Sequence, residues 1–171
     1  MKSSFAAYRT IRIVGLLAAA LVVFSFVGKA FAADAKAQIT ELDQKCANAP
    51  TIDELMACYD NSDDLVVYDV STPREFDGTK AVRADFKNFF DDYKNFKIEF
   101  VSFHVVTDGK LGVANSIQHL TATDKSGKPF DMTFRVTDVW RKEKDGWKMI
   151  EQHLSFPVDM ASGKADMQSK P

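Results

Sequence analysis

One carboxylate interrupts an otherwise apolar strand face. Between Met132 and Trp140 the side chains of an extended chain alternate with period two. Met132, Phe134, Val136, Asp138 and Trp140 therefore share a side, and four of the five are apolar. A carboxyl group in such company must be hydrogen-bonded, paired or protonated. Asp138 is then either a structural partner of a neighbouring strand or a site residue, with Phe134 and Trp140 beside it as wall of a pocket or as core. The pattern favours a fold with a small-molecule pocket.

Other side chains with chemistry to offer depend on register. The run Met132 to Pro157 reads as two strands joined at Lys144-Asp145-Gly146, an Asp-Gly hairpin signal. If Asp138 lies opposite Gln152, then Ile150, Gln152 and Leu154 share its face, while Arg135, Thr137 and His153 take the other. A slip of one residue reverses this, and would make Arg135 an anion clamp and His153 an acid or base in the pocket. The first register keeps the apolar residues together. His119 shares a face with Val113, Asn115 and Ile117, and is either a satisfied core histidine or a catalyst. Asp69, near the end of a β-rich run, either braces the following loop or serves a site.

These residues need elements to hold them. Asp34 to Cys46 reads as a helix with Ile39, Leu42 and Cys46 on one stripe, ended at Pro50. Thr51-Ile52-Asp53-Glu54 is a capping box opening a short helix to about Tyr59. A strand covers Leu65 to Val70, and Ser71 to Gly78 reads as a loop. Thr79 to Asn95 is an amphipathic helix with Val82, Phe86, Phe89, Phe90 and Tyr93 on its apolar face. Four strands follow at about Phe96–Thr107, Leu111–Thr123, Pro129–Lys142 and Trp147–Phe156, with turns at Asp108-Gly109, Lys125-Ser126-Gly127 and Asp145-Gly146. A wide antiparallel sheet curling around the helices, a cone-shaped α+β barrel, would bury its apolar face on them and leave a cavity at the open end.

That order and two motifs resemble the SnoaL-like and ketosteroid-isomerase-like branch of the nuclear-transport-factor-2-like superfamily. DVSTPREFDGT, Asp69 to Thr79, looks like the segment that carries the isomerases' general-base aspartate. TDVWRKEKDGWKMIEQHLS, Thr137 to Ser155, is similar to the closing hairpin, with Asp138 where the isomerases hold a protonated aspartate. The resemblance implies Asp69 as base and Asp138 as neutral donor to a developing enolate, a pairing in which environment sets each acid's proton. It also implies a donor tyrosine on the first helix, and this chain has no Tyr between Asp34 and Cys58. An oxyanion donor is typically worth about a hundredfold or more in rate, so the catalytic set is incomplete. The superfamily hosts enzymes and plain binders alike.

Composition sets the compartment and removes some classes. Lys2, Arg9 and Arg12 precede an uncharged apolar run from Ile13 to Gly28, and Ala30-Phe31-Ala32 offers a cleavage site. Residues 1–32 are expected to be a signal peptide; an uncleaved anchor is the alternative, though the run is short of the roughly 20 residues that span a bilayer. Residues 33–160 would form one domain and 161–171 a flexible tail. Cleavage removes four of the 22 basic residues and none of the 24 acidic ones, leaving a net charge of −6, unsuited to neutralising phosphates, so no nucleic acid is expected. Nor is membrane attachment expected after cleavage.

In a periplasmic or secreted setting, Cys46 and Cys58 suggest a disulfide closing a loop of about 12 residues, contributing roughly 3 kcal/mol; two buried thiols on adjacent helices are the alternative. Their spacing matches no zinc or redox motif, so neither a metal nor a cofactor is expected. Three functions stay open: an exported homodimeric binder of a small apolar or carbonyl-bearing molecule; an isomerase, cyclase or dehydratase with Asp69 as base; and an interaction or assembly domain. The candidate ligand-binding residues are Trp140, His119, Phe134, Gln152, Leu154, Arg135 and His153.

Overall fold

A computed structural model describes residues 34–169; the expected signal peptide lies outside the described residues. Helix α1 runs through 34–47, and α2 covers Ile52–Met56. Thr51 caps α2 as its sequence predicts: its Oγ1 accepts from the Glu54 backbone N–H at 3.2 Å and donates to Glu54 Oε1. Cys46 and Cys58 are bonded, tying the end of α1 to the segment just after α2.

The remaining elements are β1 (Val66–Tyr68), β2 (Phe76–Asp77), α3 (Gly78–Asp92), β3 (Tyr93–Thr107), β4 (Leu111–Asp124), β5 (Pro129–Glu143) and β6 (Gly146–Ser155). They form one six-stranded sheet in the order β2-β1-β6-β5-β4-β3. The fold is the expected curved α+β sheet around helices, with two differences. The sheet stays open rather than closing into a barrel, and it is mixed, because β1 lies parallel to β6. The free edge of β6 would otherwise leave its backbone groups unpaired, and β1 meets it running the same way. Within the expected loop, Phe76 and Asp77 return as β2 against β1. Their two residues are too few to show periodicity.

Asp138 lies opposite Gln152, the register that groups the apolar residues. One β-bulge changes the pattern beyond it. Val139 pairs with Glu151 but Trp140 pairs with Met149, so Ile150 is the extra residue and Met149 is the one buried.

The interior divides in two. At one end Ile39, Tyr59, Leu65, Val67, Val82, Trp140 and their neighbours pack as a solid core against α1 and α2. At the other, Leu120, Met132, Phe134 and Val136 face aromatic side chains from α3 and the strand ends. The chain after Pro157 does not leave the domain. It turns at Asp159–Lys164, and the Thr133 N–H donates to the Met167 carbonyl at 2.9 Å, laying Met167 against the second group.

Candidate functional site

The boundary between the two interior groups is a cavity of about 710 Å³, within the usual range for a small-molecule site. Most of its wall is apolar, with Phe89, Tyr93, Phe96, Phe130 and Phe134 prominent. Period-two alternation of β5 delivers Met132, Phe134, Val136 and Asp138 to it in turn.

Asp138, 1% exposed, sits at the inner end. Gln152 Nε2 donates to its Oδ1 at 2.7 Å, and the Tyr59 hydroxyl donates to Gln152 Oε1 at 2.7 Å. Its other neighbour is Asp43, from α1 and 2% exposed, whose Oδ2 accepts from Trp140 Nε1 at 3.2 Å. Two carboxyl groups can share a hydrogen bond only through a proton. Burial, and then the Asp43 charge, push the Asp138 carboxyl well above the usual range. Of the two, Asp138 is pushed further from its ordinary value, which favours a proton on its side of the pair. Asp43 is itself raised by burial to about 6, against the lowering effect of its bonds to Trp140 and Asp138. Burial raises the Tyr59 phenol well above its ordinary value too, helped by the charges of Asp138, Asp43 and Asp69.

A second pair lies on the same cavity. The backbone N–H groups of Val70 and Ser71 donate to Asp69 Oδ1, the latter at 3.3 Å. Asp85, from α3, meets Asp69, and burial followed by that contact raises it to about 7. Ser71 Oγ donates to Asp85 Oδ1 at 3.4 Å. Asp85 Oδ2 is buried with no hydrogen-bond partner among the described residues.

Of the residues singled out from the sequence, Asp69, Asp138, Phe134, Gln152 and Leu154 converge on the cavity. Trp140 is fully buried behind it and braces Asp43 rather than forming the wall. Arg135, His119 and His153 are on the outer face of the sheet, away from the cavity. That follows from the register: with Asp138 inside, Arg135 and Thr137 point out, and His153 lies opposite Thr137. His119 Nε2 bonds Asp131 Oδ2 at 2.7 Å, and His153 meets the Tyr68 ring edge-on with centroids 5.6 Å apart. Among the described residues no group of three or more His, Cys, Asp or Glu is arranged to hold a metal.

Sequence reasoning missed Asp43, Tyr59 and Asp85, although two left a signal. Asp43 falls four residues after Ile39 and three before Cys46, inside the apolar stripe of α1. Asp85 falls likewise between Val82 and Phe89 on α3.

The model of the SnoaL-like domain family matches residues 39–159. Among solved structures, the chain is similar to a nuclear transport factor 2-like protein of unknown function from Pseudomonas putida, at 24% identity and TM-score 0.70, over 81% of this chain and 98% of that one. A nuclear transport factor 2-like superfamily protein from Salmonella enterica serovar Typhimurium matches at 18% and 0.67, over 78% and 99%. A ketosteroid isomerase-like protein from Erwinia carotovora matches at 20% and 0.60, over 70% and 94%. No curated protein matches the chain.

Proposed function

The chain belongs to the SnoaL-like domain family, and on that premise we propose that it is an exported binding protein that takes a small, largely apolar molecule into its cone. The observation that carries this reading is the cavity itself: about 710 Å³ of aromatic-walled space beside a solid core. A domain serving only as an assembly surface has no need to leave such a volume unpacked, because empty apolar space costs stability. The Cys46–Cys58 bond suits an oxidising compartment.

The reading includes a homodimer. Val106, Val113 and Val139 stand in register across β3, β4 and β5 on the outer face, and Val106 is 60% exposed. Such an aliphatic row fits a second copy of the sheet.

Native mass spectrometry of the protein purified from a bacterial periplasm tests both parts. We expect a dimer retaining a discrete small-molecule adduct, weakened in Asp69→Asn and Asp138→Asn. A clean protein that also takes up no apolar fluorescent dye would overturn the binding reading.

A second reading is favoured by Asp69 and Asp138 facing one cavity: proton transfer next to a carbonyl, with Asp69 as base. It has a cost at the other carboxyl. Asp138 neighbours Asp43, so donation to a ligand oxygen requires its proton to be directed away from that pair. A turnover assay decides it, since full activity in Asp69→Asn eliminates this base.

A further inference from the structure

We propose that the ligand of this cavity is an organic cation, an apolar body carrying a protonated or quaternary amine, with its head at the Asp69–Asp85 pair. The inference rests on the cavity being a ligand site and names the chemistry it selects.

The charge of the lining is one-sided. Asp43, Asp69, Asp85, Asp92 and Asp138 all reach the cavity, and among the described residues no Lys, Arg or His does. Asp92 is answered from outside by Lys125, whose Nζ donates to it at 2.7 Å. Among the described residues the other four have no basic partner. Carboxyl groups removed from water normally find a cation or a set of donors.

The two pairs differ in what else they meet. At the inner end Trp140, Gln152 and Tyr59 form a closed chain of hydrogen bonds around Asp43 and Asp138. Its donors are engaged with one another, so it offers a neutral carbonyl ligand little. The Asp69–Asp85 pair is left open. Asp85 Oδ2 is buried without a hydrogen-bond partner among the described residues, and its neighbour Asp69 is itself an acceptor. A proton or a cationic N–H fits that contact best, because it meets the missing bond and the one-sided charge together. A quaternary head, lacking N–H, would satisfy the charge without the bond.

The walls fit the same class. Phe86, Phe89 and Phe90 come from α3, the helix that carries Asp85, and Phe96 packs edge-on against both Phe89 and Phe90. Ring faces carry partial negative charge and attract cations within about 6 Å, most strongly where water is excluded. An anionic ligand would meet like charge from both pairs.

Competition binding with three naphthalene probes tests this: (1-naphthylmethyl)trimethylammonium, its neutral isostere 1-neopentylnaphthalene, and 1-naphthylacetate. We expect the cation to bind at least about tenfold more tightly than the isostere and the anion to be excluded. In Asp69→Asn and Asp85→Asn the cation-to-isostere ratio should fall toward one. That ratio cancels a general loss of folded protein, and melting curves check the fold directly. Equal binding of cation and isostere, or tighter binding of the isostere, would overturn the proposal while leaving the cavity a binding site. Failure of all three probes to bind would overturn both.

Discussion

Asp43 comes from a helix and Asp138 from a strand, and their meeting has a thermodynamic signature. Burial lifts the Asp43 carboxyl from 3.8 to about 6, so between those values the folded chain holds a proton that the unfolded chain has released. Stability must then fall as pH rises through that window, by on the order of 2–3 kcal/mol for Asp43 alone, and be unaffected below both values. Asp85, raised to about 7, adds a slope of the same sign. The lowered carboxyls of Asp108, Asp124, Asp159 and Asp166 act in the opposite sense, losing their contribution only as pH falls below the ordinary carboxylate range. Urea unfolding at about pH 4.5 and about pH 7 checks this. Wild type should be more stable at the lower value, and Asp43→Asn, whose amide still accepts from Trp140, should lose the share that Asp43 contributes while keeping the slope of Asp138 and Asp85. An identical slope in the variant would mean that Asp43 does not titrate in this range. At this scale the sequence was half legible. Asp138 stood out because strand alternation made its neighbours uniformly apolar. Asp43 was hidden because one acid in a helical stripe looks like the stripe's edge.

At the scale of elements, α1 is the part on which the site's geometry depends, and two contacts fix it. The Cys46–Cys58 bond spans a loop of 12 residues, and it joins the helix carrying Asp43 to the residue preceding Tyr59. Replacing both cysteines by Ala should lower stability by about 2–4 kcal/mol and weaken ligand binding as well, because Asp43 and Tyr59 lose their common tether. Denaturant unfolding and dye binding on the same samples would separate the two effects. The other contact is Gly112 on β4. A Cβ there would run into Ile39 Cδ1, and Ile39 is completely buried. Gly112→Ala should push α1 off the sheet and cost about 1–3 kcal/mol; an unchanged denaturation midpoint would show that Ile39 yields freely. The elements themselves were largely readable. α3 and the long strands fall close to their expected bounds because amphipathic period and Asp-Gly or Ser-Gly turns mark them. The bulge at Ile150 was not, since an extra residue in a strand is set by what packs across the sheet and leaves no local pattern.

The whole molecule is a curved sheet packed solid at one end and hollow at the other, and its last described residues help to wall the hollow. Ala165 and Met167 line the cavity, while Gln168 Nε2 donates to the Asp131 carbonyl at 2.9 Å and the Asp166 N–H to the Pro157 carbonyl at 2.8 Å. From the sequence this polar stretch reads as a loose tail; nothing in its composition says that one methionine finds the edge of β5. Its contacts involve the walls of the cavity and not the core around Trp140. Ending the chain at Pro157 should therefore leave the fold and its melting temperature nearly intact. Ligand release should quicken, because a bound molecule loses the Met167 contact, worth on the order of 1–1.5 kcal/mol or about tenfold in dissociation rate. Stopped-flow displacement of a bound fluorescent probe reads this directly. An unchanged rate would place the ligand's exit elsewhere, at the Asp69 side of the cone, and make the last segment a brace for β5.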